Sequence, residues 1–202
     1  MKHYPSISRI DPQGIDREYY TWSKLDGSMI RCEYSHKSGF YKFGSRKQLI
    51  DTSTPILGEA IPLFMETLAE PLTKIARDNK WTNIVAFCEF YGEKSLAGRH
   101  QENDPKSITC FDMSVYKYGM LLPKDFLRLL DGKLNTPNYL GVHKWNREFV
   151  EKVRNSDLEG ISMEGVVGKN DYPVFVKCKT IKWLEAIKRI YSEDEARKII
   201  ES

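Results

Sequence analysis

The pattern of apolar and polar residues predicts groups of short strands with helices between them. Apolar and aromatic residues concentrate over 18–22, 29–34 and 41–43, and runs of this length and composition favour strands. Residues 83–91 (NIVAFCEFY) form the most apolar run, in which Glu89 alone is charged, so a buried strand is predicted there. Further strands are predicted over 107–116, 160–168 and 173–179.

Helices are predicted where apolar residues recur at helical spacing. After a turn at 51–55, apolar residues follow at three- and four-residue steps up to Ile75, which predicts one or two helices interrupted near Pro62 or Pro71. Short amphipathic helices are predicted over 124–130 and 144–153, and a helical tail over 183–202. Grouped strands with interspersed helices indicate an α+β fold, with antiparallel sheets flanked by helices. We expect residues 1–202 to form a single domain.

Composition narrows the class of protein only a little. The chain is 41% hydrophobic and 29% charged, with a net charge of +3, which is typical of a soluble globular protein. This mild basicity is compatible with a nucleic-acid partner but does not argue for one. No apolar run approaches the ~20 residues of a membrane span, and the N-terminus lacks the apolar core of a signal peptide, so a cytoplasmic location is expected. The four cysteines are scattered without a C-x-x-C pair, which predicts buried free thiols.

The first candidate catalytic segment is Lys24-Leu25-Asp26-Gly27-Ser28. An amine placed two residues before an Asp-Gly turn, directly after an aromatic strand, could act as a nucleophile at the mouth of a pocket. The alternative is one more lysine in a surface turn.

Two carboxylates lie in otherwise apolar strand patterns. Glu89 and Glu164 are costly to bury unless a partner neutralises them, and Gly165 would allow close approach of a ligand or another backbone. The alternatives are a solvated strand end for Glu89 and an exposed β-bulge for Glu164.

Lys177 and Lys179 flank Cys178 in a predicted strand. Alternate residues of a strand share a face, so both ammonium groups would point one way and the thiol the other. Adjacent like charges repel unless an anion such as phosphate lies between them. Taken alone, however, two such lysines favour a solvated face at a sheet edge.

Two further residues are weaker candidates. Arg46, which follows a Gly-Ser pair, has a planar guanidinium that could hold phosphate or a sugar, although a surface turn accounts for it equally well. Phe111 could stack on a base, although an aromatic residue in a strand usually belongs to the core.

Together these segments resemble the covalent nucleotidyltransferase superfamily, which comprises ATP-dependent RNA and DNA ligases and mRNA capping guanylyltransferases. Five motifs occur in the order found in that superfamily, over residues 24–179. They are K-x-D-G at Lys24–Gly27, the acidic-aromatic-glycine motif at Glu89–Gly92, F-D at Phe111-Asp112, E-G-x-V at Glu164–Val167, and K-x-K at Lys177–Lys179, with Arg46 at a basic position between the first two.

Within the superfamily the chain is most similar to the RNA ligases. Ser28 gives the K-x-D-G-S form frequent in phage-type RNA ligases, and the arginine that DNA ligases carry five residues after the lysine is Met29 here, with Arg31 two residues later. Only 23 residues follow Lys179, too few for the OB-fold barrel of DNA ligases and capping enzymes, so we expect no OB-fold. The alternatives are a minimal DNA ligase, a guanylyltransferase, an excised domain that adenylates itself but needs another module to seal, and an inactive nucleotide-binding relative.

The resemblance implies an ATP-grasp-like ligase adenylation domain that acts as a monomer. Its implied partners are RNA strand ends, with DNA or RNA/DNA hybrid ends as the alternative. It implies that Lys24 attacks the α-phosphorus of ATP to form lysyl-AMP, that AMP passes to a 5′-phosphate, and that a 3′-OH then seals the strand. Implied site roles are charge stabilisation by Lys177 and Lys179, Mg²⁺ or Mn²⁺ binding by Glu164 and Asp26, and nucleotide contacts from Gly27, Glu89 (ribose), Phe111 (adenine) and Arg46 (ribose or strand phosphate).

Overall fold

Eleven strands and six α-helices form in the residues that the computed structural model describes, namely 1–11, 13–93, 103–171 and 174–201. The strands are β1 (Ser8–Arg9), β2 (Gly14–Lys24), β3 (Ser28–Ser35), β4 (Gly39–Gly44), β5 (Leu49–Ile50), β6 (Asn83–Tyr91), β7 (Ser107–Val115), β8 (Gly119–Met120), β9 (Tyr139–Asn146), β10 (Gly165–Lys169) and β11 (Phe175–Lys179). The helices are α1 (Ala60–Thr67), α2 (Ala69–Asp78), α3 (Pro123–Leu130), α4 (Arg147–Asn155), α5 (Ile181–Ile190) and α6 (Glu193–Glu201).

The chain divides into two compact units. Unit 1 comprises Met1–Pro5 and Gly27–Thr136 and contains β3 to β8 with α1 to α3. Unit 2 comprises Ser6–Asp26 and Pro137–Ser202 and contains the remaining strands and helices. The grouping of the whole chain into one adenylyltransferase domain stays a prediction.

Unit 1 contains a six-stranded sheet in the order β5-β4-β3-β6-β7-β8, and every neighbouring pair of strands is antiparallel. The apolar run 83–91 forms β6, between β3 and β7, where apolar side chains are needed on both faces. Phe64 of α1 packs edge-on against Phe40 of β4, with ring centroids 4.8 Å apart. The prediction of a buried strand over 83–91 is confirmed by β6.

The helical segment of unit 1 breaks at Leu68, between α1 and α2. Pro62 and Pro71 each lie in the first turn of a helix, where a backbone N–H has no intrahelical partner and its loss costs little. The prediction of two helices with a break near a proline is confirmed, because the break at Leu68 falls three residues before Pro71.

Unit 2 contains a five-stranded sheet in the order β1-β11-β10-β2-β9. Its strands pair antiparallel except for the short parallel contact of β1 with β11. One face of this sheet packs against α4 to form a core that includes Tyr19, Trp145, Phe149 and Cys178. Within this core the indole Nε1 of Trp145 donates to Oγ1 of Thr21 at 3.0 Å, so its buried N–H is satisfied.

Several elements of unit 2 differ in extent from the sequence prediction. The helix predicted over 144–153 begins at Arg147, because β9 runs to Asn146 and the Asn146 side chain caps the helix by accepting from Phe149 N. The strand predicted over 160–168 begins at Gly165, so Glu164 lies just before it. The tail forms two helices, α5 and α6. Positions 173 and 202 of the predicted elements lie outside the described residues.

The α+β prediction is confirmed as a mixed fold with antiparallel sheets and helices. The prediction of free, buried thiols is confirmed for all four cysteines. Among the described residues, every helix is too short or too polar to cross a membrane.

Candidate active site

The sheet of unit 2 places Lys24 and Lys179 on either side of Gly165. Lys24 is the last residue of β2 and pairs in register with Gly165, the first residue of β10. Gly165 pairs on its other side with Lys179, the last residue of β11. Neighbouring strands lie about 4.8 Å apart, so the two lysines are two strand spacings apart across a residue that has no side chain.

Glu164 joins the two lysines. Its Oε1 lies 2.8 Å from Nζ of Lys24 and 3.3 Å from Nζ of Lys179. The side chain of Glu164 is 4% exposed and that of Lys179 2%, whereas the side chain of Lys24 is 21% exposed. The exposed-bulge alternative for Glu164 is wrong, because the carboxylate is buried between two cations that offset its desolvation.

The E-G pair of the fourth motif has a steric basis. Gly165 has φ +138°, and a Cβ atom there would lie 2.1 Å from the carbonyl oxygen of Cys178. Only glycine allows β10 to begin this close to β11, directly after Glu164.

Ser162 fixes the backbone at Lys24. Its hydroxyl lies within hydrogen-bond reach of two carbonyl oxygens, that of Lys24 and, at 3.1 Å, that of Gly165. This role of Ser162 could not be predicted from local pattern, because a serine in a loop is common. The hydroxyl links the end of β2 to the start of β10 and so holds the base of the Lys24 side chain in place.

Lys179 contacts the C-terminal helix α6 as well as Glu164. Its Nζ donates to the carbonyl oxygen of Ile199 at 3.4 Å, at the C-terminal end of α6, where helix carbonyls lack intrahelical partners and favour a cation. Burial lowers the pKa of Lys179; the negative charge of Glu164 opposes this shift and the positive charge of Lys24 adds to it.

The strand alternation predicted around Cys178 is confirmed. Cys178 packs in the core of unit 2, and Lys177 and Lys179 are each 3% exposed. The alternative of a solvated strand face is therefore wrong. In the next row of the sheet Val167 lies between Trp22 and Lys177, just as Gly165 lies between Lys24 and Lys179.

A third row adds a lysine that the sequence did not single out. Lys169 pairs with Tyr20 on one side and Phe175 on the other, and it is 6% exposed. Its Nζ lies 5.2 Å from the ring centroid of Trp22 and 5.9 Å from that of Phe175. Aromatic faces attract a desolvated ammonium, which accounts for a buried lysine here.

Asp26 is held by a residue of the C-terminal segment. The indole Nε1 of Trp183, in α5, donates to Oδ2 of Asp26 at 2.8 Å. Asp26 also acts on Lys179, because its negative charge raises the pKa of that lysine against the larger effect of burial.

Glu164 and Asp26 are suitable in type for a magnesium or manganese site. The described residues contain no group of three or more His, Cys, Asp or Glu side chains placed to enclose a metal ion. Mg²⁺ is commonly bound by one or two carboxylates, with water and substrate phosphates completing its shell. Two carboxylates near the ammonium groups of Lys24 and Lys179 are compatible with that mode of binding.

In unit 1, Gly27 packs directly against the strand that carries Glu89. A Cβ on Gly27 would lie 2.5 Å from the carbonyl oxygen of Phe90 and 2.9 Å from Cγ of Glu89. The glycine of K-x-D-G is therefore required for close approach to β6. Glu89 itself is partly buried, near the end of that strand.

Arg46 is exposed in the turn after β4, and Arg31 holds that turn. Arg31 is 3% exposed, and its Nε donates to the carbonyl oxygen of Ser45 at 2.7 Å. Its Nη1 donates to the carbonyl oxygen of Lys2 at 3.3 Å. The guanidinium of Arg31 thus supports the loop that presents Arg46.

Phe111 occupies a β-bulge. Cys110 and Asp112 pair with consecutive residues of β6, so Phe111 is the extra residue of β7. Bulges turn a side chain away from its regular direction. The ring of Phe111 is partly exposed and packs edge-on against Tyr4, with centroids 5.1 Å apart, while Tyr4 donates to buried Asp112 at 2.8 Å.

The structure thus brings Lys24, Glu164 and Lys179 together in unit 2, and Gly27 and Glu89 together in unit 1. The functional roles of the predicted site residues stay predictions. Sequence reasoning missed Ser162 and Lys169, and it placed Trp183 only in a tail.

Solved RNA ligases have a similar fold. A mutant of the Naegleria gruberi RNA ligase with AMP and Mn is 13% identical with a TM-score of 0.68, and the match covers 92% of this chain and 57% of that chain. The same ligase with PPi is 14% identical with a TM-score of 0.66, over 94% and 60% of the two chains. No protein-family model and no curated protein matches the sequence.

This likeness defines the fold as that of RNA ligase structures. A further mutant of that ligase, with ATP and Mn, is 13% identical with a TM-score of 0.64, over 86% of this chain and 52% of that chain. The chain therefore spans little more than half the length of the ligase structures that it matches.

Proposed function

We propose that this chain is an ATP-dependent RNA ligase that forms lysyl-AMP and joins 5′-phosphate to 3′-OH ends. The observation that carries the proposal is the cluster of Lys24, Glu164 and Lys179, in which an accessible amine lies beside a buried carboxylate and a buried ammonium. The ligase fold supports it, as do the ATP and AMP in the similar structures.

In the first step Nζ of Lys24 attacks the α-phosphorus of ATP. A P–N bond forms, the bond between the α-phosphorus and the bridging oxygen breaks, and pyrophosphate leaves with the electron pair. Lys24 must lose a proton to act as a nucleophile. Oε1 of Glu164, 2.8 Å from Nζ, is positioned to accept it.

Lys179 and Lys177 would stabilise the charge that develops on the phosphate oxygens, because buried cations act strongly where water is excluded. Glu164 and Asp26 would hold a divalent metal, which supplies further positive charge to the phosphates. Glu89 would accept from the ribose hydroxyls, the partly exposed Phe111 would stack on adenine, and Arg46 would bind ribose or strand phosphate.

The later steps transfer AMP to a 5′-phosphate and expel it when a 3′-OH attacks. RNA ends are favoured over DNA because Ser28 follows K-x-D-G and because the similar structures are of RNA ligases. We expect a monomer. A cytoplasmic location also stays a prediction.

A second candidate is a domain that adenylates itself but needs another module to seal. The observation that favours it is that the match covers only 52 to 60% of the RNA ligase chains. Single-turnover sealing of a chemically pre-adenylated strand separates the two. Sealing by this chain alone supports the complete ligase, and normal self-adenylation without sealing supports the partial one.

The direct test is intact-mass spectrometry after incubation with ATP and Mg²⁺ or Mn²⁺. The expected product is the chain with one added AMP, which Lys24→Arg abolishes. Lys144→Arg is the matched control, because Lys144 lies in the same sheet but is exposed and pairs with Asp16. Absence of an adduct in the unmutated chain with either metal contradicts the proposal, and an adduct formed from GTP but not ATP favours the guanylyltransferase alternative.

A further inference from the structure

Trp183 contacts two residues of the proposed site at once. Its indole Nε1 donates to Oδ2 of Asp26 at 2.8 Å, and Nζ of Lys179 lies 4.1 Å from the centroid of its ring. Trp183 is 1% exposed, and all three residues belong to unit 2. The first turn of α5 is thus in contact both with the K-x-D-G motif and with the K-x-K motif.

The backbone of Trp183 is fixed as firmly as its side chain. Thr180, which is fully buried, caps α5 by accepting from Trp183 N at 3.1 Å. The same hydroxyl donates to the carbonyl oxygen of Met163 at 2.6 Å, and Thr180 N donates to the carbonyl oxygen of Glu164 at 3.0 Å. The start of α5 is therefore tied to the residue that bridges Lys24 and Lys179.

Tryptophan is suited to both contacts. An indole N–H only donates, so it matches a carboxylate oxygen, and the bond to a charged acceptor is stronger than one between neutral groups. The face of the same ring attracts an ammonium, most strongly when both are desolvated. Phenylalanine supplies a ring face but no donor, and leucine supplies neither.

We propose that Trp183 is a positioning residue that holds the carboxylate of Asp26 and the ammonium of Lys179 in place for the adenylation step. The inference rests on the proposed function, and it makes α5 part of the active site. Lys179 would stabilise charge on the phosphates and Asp26 would help to hold the metal, so loss of Trp183 should lower the rate of the chemical step more than it weakens nucleotide binding.

The test measures two quantities for each variant. One is the rate of AMP transfer to the chain at saturating ATP, and the other is the ATP concentration that gives half that rate. Trp183→Phe should lower the saturated rate roughly tenfold, the effect of one charge-assisted hydrogen bond, with less than about a threefold change in half-saturation. Trp183→Leu should lower the saturated rate further. Trp145→Phe is the matched control, because it also removes a buried indole N–H bond in unit 2, the one to Thr21.

A merely structural role predicts equal losses in Trp183→Phe and Trp145→Phe, and that result overturns the inference, as does an unchanged saturated rate in Trp183→Phe. A second readout needs no activity. The ¹H–¹⁵N resonance of the Trp183 indole, identified by its absence in Trp183→Phe, should move in Asp26→Asn and stay in place in Asp16→Asn. If the unmutated chain forms no AMP adduct, the proposed function fails, while the indole resonance still tests the contact by itself.

Discussion

Lys24 and Lys179 share a single carboxylate oxygen, Oε1 of Glu164, at 2.8 Å and 3.3 Å from their ammonium nitrogens. One carboxylate thus holds two cations that come from strands on opposite sides of β10. Because the two like charges would otherwise repel each other, the charge of Glu164 sets the electrostatics of the whole cluster.

Replacing that charge tests its role. Glu164→Gln keeps the shape of the side chain but leaves two ammonium groups without their shared anion and Lys24 without a proton acceptor. We expect self-adenylation to slow by roughly 100- to 10,000-fold, the range attributed to loss of a positioned acid-base group or electrostatic partner. Time-resolved intact-mass spectrometry measures the rate, and circular dichroism checks the fold. Glu148→Gln, which removes an exposed carboxylate paired with Lys152, is the control. Equal rates in the two variants would falsify the role of Glu164.

The steric requirement at Gly165 predicts a loss of stability. Gly165→Ala places a Cβ 2.1 Å from the carbonyl oxygen of Cys178 and adds a side chain at φ +138°. We expect the free energy of unfolding to fall by about 2 kcal/mol or more, since strained backbone conformations alone cost 1–3 kcal/mol. Gly141→Ala is the matched control, because Gly141 also has positive φ (+102°) but its nearest neighbouring atom is 3.6 Å from the added Cβ. Urea denaturation compares them, and equal losses would show that the close contact has no cost of its own.

Burial of the thiols predicts that the folded chain resists thiol reagents. Cys32, Cys88, Cys110 and Cys178 are all buried, and burial raises the pKa of Cys178 to about 11, so little thiolate forms at pH 8. Ellman's reagent should find no fast-reacting thiol in the native chain and four after unfolding in denaturant. Ser38→Cys, at an exposed turn, should add one thiol that reacts at once. A fast phase in the unmutated chain means that one of the four cysteines is accessible.

Much of the fold could be predicted from local pattern alone. The apolar run 83–91 forms a buried strand, and the alternation around Cys178 correctly divides Lys177 and Lys179 from the core. The predicted boundaries were wrong where a polar side chain ends one element and begins the next in spite of the apolar periodicity. Asn146 resembles part of a helix in sequence, but its side chain caps α4 and ends β9.

The arrangement of the site could be predicted only in part. The motif residues were identifiable one by one, yet the register that sets Lys24 beside Gly165 and Gly165 beside Lys179 depends on pairing between segments distant in the chain. Ser162 and Trp183 carry no local signal, because a loop serine and a helical tryptophan occur in most proteins. Their contacts with Lys24 and Asp26 come from tertiary packing.

The buried ammonium of Lys179 predicts a pH dependence of stability. Burial lowers its pKa in the folded chain below the ordinary value of 10.5 that applies when the chain is unfolded. Between those two values the unfolded chain binds more protons, so stability rises with pH; below both, the cost of burying the cation is present in full. The free energy of unfolding of the unmutated chain, minus that of Lys179→Met, should therefore rise as pH increases toward about 10.5. Lys74→Met is a control of opposite sign, because a hydrogen bond to Asp78 raises the pKa of Lys74 above 10.5. The free energy of unfolding of the unmutated chain, minus that of Lys74→Met, should fall only as pH rises past 10.5. Denaturant titrations at a series of pH values measure both differences, and a flat or falling curve for Lys179→Met contradicts the prediction.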